Sequence, residues 1–333
     1  MATIYEVSEL AGVSLATVSR VINNSGKVTT KTRLRVEAAM KELGYRPNSI
    51  AQSLASNRSN SVGILVPELH GPFFGTMLGS IELELRNAGK HVIITAGHSD
   101  AEREKEGIEF LASRRCDALI LFVFAISNER IKLLRESTVP AVVIGRMIAG
   151  MEKDCVYIDN EIGGYLATQS MIESGHRELA CITGPLWKSD GQDRLAGFKR
   201  ALKENGLAYD ERLVVAGNYE ESSGRDGMEK LLERDISFTG LVCANDVMAA
   251  GAIAIARQQG LAIPKDLSIV GFDIVFFSGF LLPQLSSIDF PIGVLVHMAA
   301  GCVLRDDFGV TGLGIQTRFE PNFVRLSSIL EVG

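Results

Sequence analysis

The sequence has no long apolar run and no cysteine pair of the kind that marks a membrane, secreted or zinc-binding protein. No stretch of about 18 apolar residues occurs, and the polar residues Tyr5, Glu6, Ser8 and Glu9 stand where a signal peptide would have its apolar segment. The five cysteines are widely spaced without a CxxC pair, so we expect buried, reduced thiols. These absences predict a cytoplasmic protein that does not contact a membrane.

The common signatures of catalysis are also missing. The five histidines show no HExxH or similar ligand spacing, and neither GxSxG nor GxxxxGK[ST] occurs. With 333 residues, of which 46% are hydrophobic and 22% charged, the chain is globular and long enough for two or three domains. We therefore expect a protein that is not an enzyme and that needs no cofactor and no metal.

Positive charge is concentrated at the N-terminal end. The whole chain carries a net charge of −6, whereas the residues up to Arg58 include eight basic and four acidic side chains, a net charge of +4. The rest of the chain therefore carries −10. A basic head suits a polyanion such as DNA, and an acidic body does not.

Capping residues and apolar spacing predict a short helix at the start of the chain. Thr3 and Glu6 have capping-box spacing, so the helix begins directly after Thr3. Val7, Leu10 and Ala11 then fall on its inner face at helical intervals.

A second helix is predicted to follow Ser14, which is a good N-cap residue. Val18, Val21 and Ile22 point inward on this helix, and Leu15 falls at the boundary. The residues on the opposite face are Ala16, Ser19, Arg20 and Asn23.

A third helix, with Thr29 or Thr30 as its N-cap, completes a helix-turn-helix unit. Small residues on the outer face of the second helix allow close entry into the DNA major groove, where Arg20 can pair with a guanine edge. A three-helix bundle with a solvated face is the alternative. The inner stripe of the third helix consists of Val36, Ala39, Met40 and Leu43.

The segment 47–60 has the pattern of a helix of only about two turns followed by a polar linker. Such a helix is too short to be stable alone, because isolated helices below about 12 residues are marginal in water. Pairing with its twin in a dimer over DNA would stabilise it and place Leu54 between base steps of the minor groove. A linker that packs on its own body is the alternative. The apolar stripe consists of Ile50, Ala51, Leu54 and Ala55.

From Ser61 onward, short apolar strands alternate with amphipathic helices. The runs "SVGILVP", "HVIITAG", "ALILFV" and "AVVIG" form one series, and "LACITG", "LVVAG", "GLVCA" and "SIVGF" form a second. This alternation predicts two α/β lobes, each with a doubly wound parallel sheet. Ligands of such sheets bind at the carboxyl ends of the strands, so the gap between the lobes is the expected pocket.

Polar forks and aromatic rings follow several of these strands. Paired hydrogen-bonding groups suit adjacent sugar hydroxyls, and rings suit the C–H face of a sugar. The two phenylalanines can instead be core or dimer contacts, and Asp246, like Asp159 and Asn160, can be a helix cap. The candidate effector contacts are Phe73, Phe74, Arg146, Arg194, Tyr219, Asn245 and Asp273.

Residues 3–60, from "TIYEVSELAGVSLATVSRVINNSGKV" to "YRPNSIAQSLA", closely resemble the lactose/galactose repressor (LacI/GalR) family of bacterial transcription factors, and the resemblance continues through nearly the whole chain. It implies that Leu15, Ala16 and Arg20 read bases, with Asn23 and Lys27 in support and Leu54 as the hinge wedge. The expected DNA contacts are Thr3, Ser14, Leu15, Ala16, Thr17, Ser19, Arg20, Asn23, Lys27, Asn48, Ala51 and Leu54.

The resemblance also implies the architecture: a helix-turn-helix domain over 1–46, a hinge helix and linker over 47–60, and a two-lobed domain over 61–333 similar to periplasmic sugar-binding proteins. Three strands near Ile158, Ile288 and Phe319 are expected to cross between the lobes. The first lobe then comprises about 61–159 and 290–320, and the second about 160–289 and 321–333. The chain has "GFDI" where the family usually has two acids, which puts the packing of the loop after Asp273 in doubt.

The expected function is that of a dimeric repressor released from a pseudo-palindromic operator when a small sugar binds between the lobes. The segments "HGPFFG" and "NDVMAAGA" are nearest to the galactose and β-glucoside type of repressor, and no heptad tail follows "PNFVRLSSI" to favour a tetramer. Alternatives are a purine or nucleoside effector, a corepressor, and a sugar receptor without DNA binding.

Overall fold

The computed structural model describes residues 2–23, 26–47, 58–135, 139–309 and 314–332. Asn48, Ala51 and Leu54, the three expected hinge contacts with DNA, lie outside these residues. All five cysteines are buried, as expected. Among the described helices, none has both the length and the apolar character needed to span a bilayer.

The N-terminal head consists of three helices: α1 (Ile4–Ala11), α2 (Leu15–Ile22) and α3 (Thr30–Glu42). Each begins at a hydroxyl residue, Thr3, Ser14 or Thr29, whose side chain accepts a hydrogen bond from the first turn. The capping box predicted at the start of α1 is confirmed.

The head has a small core of valine and alanine side chains from all three helices. The prediction that Leu10 belongs to it is wrong, because this side chain is 47% exposed. Ile4, Val7 and Ala11 already fill the inner face of α1, and Leu10 lies roughly a quarter turn from the centre of that stripe. The buried core residues are Val7, Ala11, Val18, Val21, Val36 and Ala39.

The first lobe is built on a six-stranded parallel sheet with the order β11-β5-β4-β3-β1-β2. Its central strands are continuous apolar runs, as expected for a sheet covered on both faces. The strands are β1 (Ser61–Val66), β2 (His91–Ala96), β3 (Ala118–Leu121), β4 (Ala141–Ile144), β5 (Cys155–Ile158) and β11 (Arg318–Phe319). The helices are α4 (Pro72–Asn87), α5 (Ala101–Ser113), α6 (Asn128–Arg135) and α11 (Ile292–Phe308), and a 3-10 helix spans Glu152–Asp154.

The second lobe has a six-stranded sheet with the order β12-β10-β9-β8-β6-β7, parallel except for the antiparallel edge pair β10 and β12. Its strands are β6 (Leu179–Thr183), β7 (Val214–Ala216), β8 (Gly240–Cys243), β9 (Ser268–Asp273), β10 (Ser286–Asp289) and β12 (Asn322–Val324). Its helices are α7 (Asn160–Glu173), α8 (Ser189–Glu204), α9 (Glu221–Leu232) and α10 (Asp246–Gln258), with 3-10 helices at Glu211–Leu213 and Ser278–Phe280.

The chain passes between the two sheets three times, after Ile158, after Asp289 and after Phe319. These are the segments at which the crossings were expected. The helix expected around Arg194 begins five residues earlier, at Ser189, so that Asp190 lies in the first turn near the positive end of the helix dipole. Arg194 therefore lies in the second turn of α8.

Candidate ligand cleft and nucleic-acid interface

A cleft of about 700 Å³ lies between the two lobes. This volume is within the range of about 300–1,000 Å³ that is typical of small-molecule sites. The first lobe and the crossing after β10 supply aromatic rings, whereas the second lobe supplies most of the polar groups. The candidates that line the cleft are Phe73, Phe74, Arg194, Tyr219, Asn245 and Asp273, together with Phe122, Phe124, Asn160, Lys188, Asp190 and Phe290.

Arg194 is the most firmly held polar side chain of the cleft. It is only 8% exposed, its Nε donates a hydrogen bond of 2.9 Å to Asn160 Oδ1, and its Nη1 donates to the carbonyl oxygen of Ala244. The guanidinium carbon lies 3.6 Å from the centre of the Phe272 ring. A guanidinium held on these sides is preorganised, so a ligand need not order it on binding.

Asp273 stands at the end of β9, where its Oδ1 lies 3.6 Å from Arg194 Nη1. Burial raises the pKa of Asp273 to about 8, against the opposing effect of Arg194. Its φ of 102° and that of Ile274, 48°, are both positive, which is unusual for non-glycine residues and marks a locally strained turn. Ile274, which replaces the family's second acid, is 36% exposed.

This turn is anchored from beneath by Asp246, which is fully buried. Its carboxylate accepts hydrogen bonds from Val275 N at 3.1 Å, from Ser287 Oγ at 2.6 Å and from Ser278 Oγ. Burial raises the pKa of Asp246 to about 6. The possibility that Asp246 caps α10 is therefore wrong, and the residue instead fixes the loop that follows Asp273.

Asn245 performs the capping of α10. Its Oδ1 accepts from Met248 N at 2.9 Å, and its Nδ2 donates to the carbonyl oxygen of Tyr219 at 2.9 Å. The side chain lines the cleft, but both of its polar atoms are engaged in holding two cleft elements together.

Tyr219 follows β7 and has a positive φ of 75°. Its hydroxyl packs against Gly184, where an added Cβ would lie 2.3 Å from the oxygen. Burial raises the pKa of Tyr219 well above its usual value. Within the described part of the chain this buried hydroxyl has no hydrogen-bond partner within 3.5 Å, but the Asp190 carboxylate is near enough to raise its pKa further.

Arg146 is not among the residues that line the cleft. Its guanidinium donates to the carbonyl oxygens of Phe124, at 3.3 Å, and Ile126, at 2.9 Å. The buried carboxylate of Glu104 accepts from the backbone N–H groups of Phe124, Ala125 and Ile126. Together the two charged groups fix the loop that presents the Phe124 ring to the cleft.

Sequence reasoning missed several residues of the cleft, of which Asn160, Phe124, Trp187 and Lys188 matter most for its geometry. Asn160, interpreted as a cap, is 6% exposed and orients Arg194, whereas Asp159 makes the cap hydrogen bond to Ile162 N. Phe124, Trp187 and Lys188 follow strands β3 and β6 at their carboxyl ends, and that position was the signal that could have identified them. Burial lowers the pKa of Lys188.

Helix α2 presents the outer surface expected of a DNA-reading helix. Ala16, Arg20 and Asn23 are exposed, and Leu15 is 37% exposed. Asn23 Nδ2 donates to Ser19 Oγ at 3.3 Å. Thr3, Ser14 and Lys27 are also exposed, whereas Thr17 and Ser19 are half-buried.

Two family models together span most of the chain. The family described as bacterial regulatory proteins, lacI family, matches residues 3–48, and the family described as periplasmic binding proteins and sugar binding domain of LacI family matches residues 59–296.

In the described residues, no group of three or more histidine, cysteine or acidic side chains is placed to hold a metal ion.

The curated relatives are named as transcriptional regulators. The chain is 37% identical to the transcriptional regulator GalR of Escherichia coli K12 over 99% of this chain and 96% of the relative. It is 35% identical to the transcriptional repressor PurR of Aliivibrio salmonicida, over 87% and 88% of the two chains. Among solved structures, the lac repressor dimer bound to operator and an anti-inducer matches with a TM-score of 0.87 and 28% identity over 99% of each chain.

Proposed function

Because the chain belongs to the LacI family of bacterial transcriptional regulators, we propose that it is a cytoplasmic repressor of sugar-utilisation genes whose affinity for an operator falls when a small sugar occupies the cleft. It acts as a homodimer, by binding and not by catalysis. The functional units are the head over 1–46, the hinge over 47–60 and the two-lobed body over 61–333, with the lobe limits given above.

The head supports sequence-specific DNA binding by its charge and by the outer face of α2. Small side chains around Arg20 permit close approach to base edges, and the basic surface of the head attracts phosphates. Two heads in a symmetric dimer require a pseudo-palindromic site with half-sites about one helical turn apart. Binding weakens steeply with rising salt, because counterions are released from the phosphates.

The observation that carries the effector assignment is the buried group of Arg194, Asn160 and Asp273 in a cleft that is also lined by several aromatic rings. Fixed forks suit paired hydroxyls, and rings suit the apolar face of a sugar. Because the lining comes from both lobes, a bound sugar favours one lobe arrangement over another. Such differential affinity is what an allosteric ligand needs.

A purine effector is the second candidate. Phe73, Phe74 and Phe290 form an edge-to-face group on one wall, which would also accept a flat heteroaromatic ring. A purine that strengthened DNA binding would make the protein a corepressor-dependent regulator of the same fold.

The test begins with a duplex selected by the full chain from a random 20-base-pair library. Melting temperatures with glucose, galactose, their β-glycosides, hypoxanthine and guanine identify the ligand class, because a ligand of the folded state raises the melting temperature. Fluorescence anisotropy of the selected duplex, with and without the ligand that was found, then gives the sign of regulation. We expect a sugar to raise the dissociation constant of the duplex.

Two matched variants on α8 identify the site. Arg194→Met removes the buried fork, and Arg200→Met removes an arginine two turns along the same helix that pairs with Glu161 at the surface. We expect Arg194→Met to keep duplex binding and lose the ligand response, and Arg200→Met to keep both. Unchanged ligand affinity in Arg194→Met contradicts the proposed pocket.

A further inference from the structure

The mouth of the cleft carries three aromatic rings around one ammonium group. Lys188 Nζ lies 5.0 Å from the centre of the Phe124 ring, 5.2 Å from that of Trp187 and 5.7 Å from that of Tyr219. Phe124 follows β3 of the first lobe, and the other three residues belong to the second. We call these four residues the outer platform; it spans the opening between the lobes.

The outer platform borders the buried polar group through the Tyr219 ring, whose centre lies 5.6 Å from the guanidinium carbon of Arg194, and extends from there to the exposed Trp187. Trp187 is 56% exposed, whereas Arg194, Asn160 and Asp273 are each under 10% exposed. Covering a solvent-exposed indole ring with an apolar face is favourable, because it removes apolar surface from water. The cleft volume of about 700 Å³ leaves room for a ligand larger than a single ring.

Charge on the cleft walls disfavours an anionic ligand. Three carboxylates, Glu68, Asp190 and Glu220, line the cleft, against two cations among the described lining residues, Lys188 and Arg194. Asp273 adds no negative charge near neutral pH, because its pKa is raised to about 8. Glu221 also lines the cleft, but it pairs with Arg225. In a cleft with low-dielectric walls this excess of carboxylates repels phosphate and carboxylate groups.

We propose that the effector is an uncharged glycoside of at least two rings, with one sugar ring at the buried polar group and a second ring, sugar or aryl, on the outer platform. This inference rests on the proposed function that the cleft binds a sugar. The second ring contacts Phe124 from one lobe and Trp187 from the other, so it ties the lobes together more firmly than a single sugar ring does.

The chain's only tryptophan is Trp187, so its fluorescence reports directly on the outer platform. The full chain is titrated with glucose and galactose, with cellobiose and lactose, with the phenyl β-glycosides of both hexoses, and with both hexose 6-phosphates. Calorimetry gives each dissociation constant. We expect the two-ring glycosides of either glucose or galactose to bind about three- to tenfold more tightly than the parent hexose, because stacking of a second ring contributes that much to affinity. We expect its members to shift the tryptophan emission and the 6-phosphates to bind more weakly than the hexoses.

Two variants locate the gain. In Trp187→Ala the ratio between one-ring and two-ring dissociation constants falls to about one, and in Trp187→Phe, which keeps a ring, most of the ratio remains. A hexose that binds as tightly as its glycosides, a phosphate that binds as tightly as its parent sugar, or an unchanged ratio in Trp187→Ala overturns this inference and leaves the proposed function standing. If no sugar binds at all, both are overturned.

Discussion

Replacing Gly164 with alanine tests whether the packing of α7 on α8 sets the position of Arg194. An added Cβ at Gly164 would lie 2.1 Å from the backbone carbonyl oxygen of Arg194. Ordinary carbon-to-oxygen contacts are about 3.3 Å or longer. The two helices must therefore move apart by about 1 Å, and the backbone that carries Arg194 moves with them.

This displacement has two measurable consequences. Overpacking of this kind lowers the free energy of unfolding by about 1–3 kcal/mol. The hydrogen bond of 2.9 Å from Arg194 to Asn160 would lengthen to about 3.9 Å, beyond hydrogen-bonding distance. Hydrogen bonds to charged groups contribute about 1.5–3 kcal/mol, so ligand affinity is expected to fall about tenfold or more.

Gly79→Ala is the matched control. Gly79 lies in the middle of α4, and an added Cβ there has no atom within 4 Å. Removing a glycine from such a position raises helix stability by up to about 1 kcal/mol. Urea unfolding followed by circular dichroism, together with calorimetric titration of the ligand, is expected to show opposite stability changes for the two variants and weaker binding only in Gly164→Ala. A Gly164→Ala protein with wild-type stability and affinity would refute the reasoning.

Three further predictions concern the head and the cleft. Ser14→Ala removes the N-cap of α2 and lowers the stability of the head by about 1 kcal/mol; duplex affinity should fall while calorimetric ligand affinity stays constant, and unaltered duplex binding would count against it. Arg20→Ala should weaken the selected duplex by about 1–3 kcal/mol and relax discrimination at one base pair. Lys41→Ala removes one positive charge from the last turn of α3, so it should weaken all duplexes alike; the same loss on every duplex in both variants would contradict a base contact. Folded Asp273 retains its proton up to about pH 8, whereas the unfolded chain releases it near pH 4, so the free energy of unfolding should fall as pH rises from 6 to 8. Asp273→Asn should remove that pH dependence. An identical pH dependence in the variant would show that another group titrates.

Local patterns in the sequence were sufficient to predict the helices of the head and the succession of strands and helices along the body. A helix cap depends on one hydroxyl and the next three residues, so Thr3 and Ser14 were identifiable without tertiary information. Continuous apolar runs separated by helical segments indicated the strands of both sheets in the same way. Leu10 was assigned wrongly because spacing gives the face of a helix only to within about a quarter turn.

The cleft was less predictable, because the end of a strand fixes where a side chain starts and not where it points. Arg146 begins at the expected place after β4, but two loop carbonyl oxygens hold its guanidinium behind the wall. Asp246 turns inward to three donors of a distant loop and strand. Such partners are far away in sequence, so no local pattern contains them. The "GFDI" departure illustrates the same limit: the conformation of Ile274 depends on that anchoring.

The most direct test of the account is the affinity of the whole chain for its selected duplex, measured by anisotropy at a fixed salt concentration, first alone and then with saturating glycoside. Occupancy of the cleft is verified in the same cuvette by the emission of Trp187. We expect the dissociation constant of the duplex to rise at least about tenfold when the cleft is filled, which corresponds to a coupling free energy of about 1.4 kcal/mol. A filled cleft with an unchanged dissociation constant would contradict the claim that the ligand controls DNA binding.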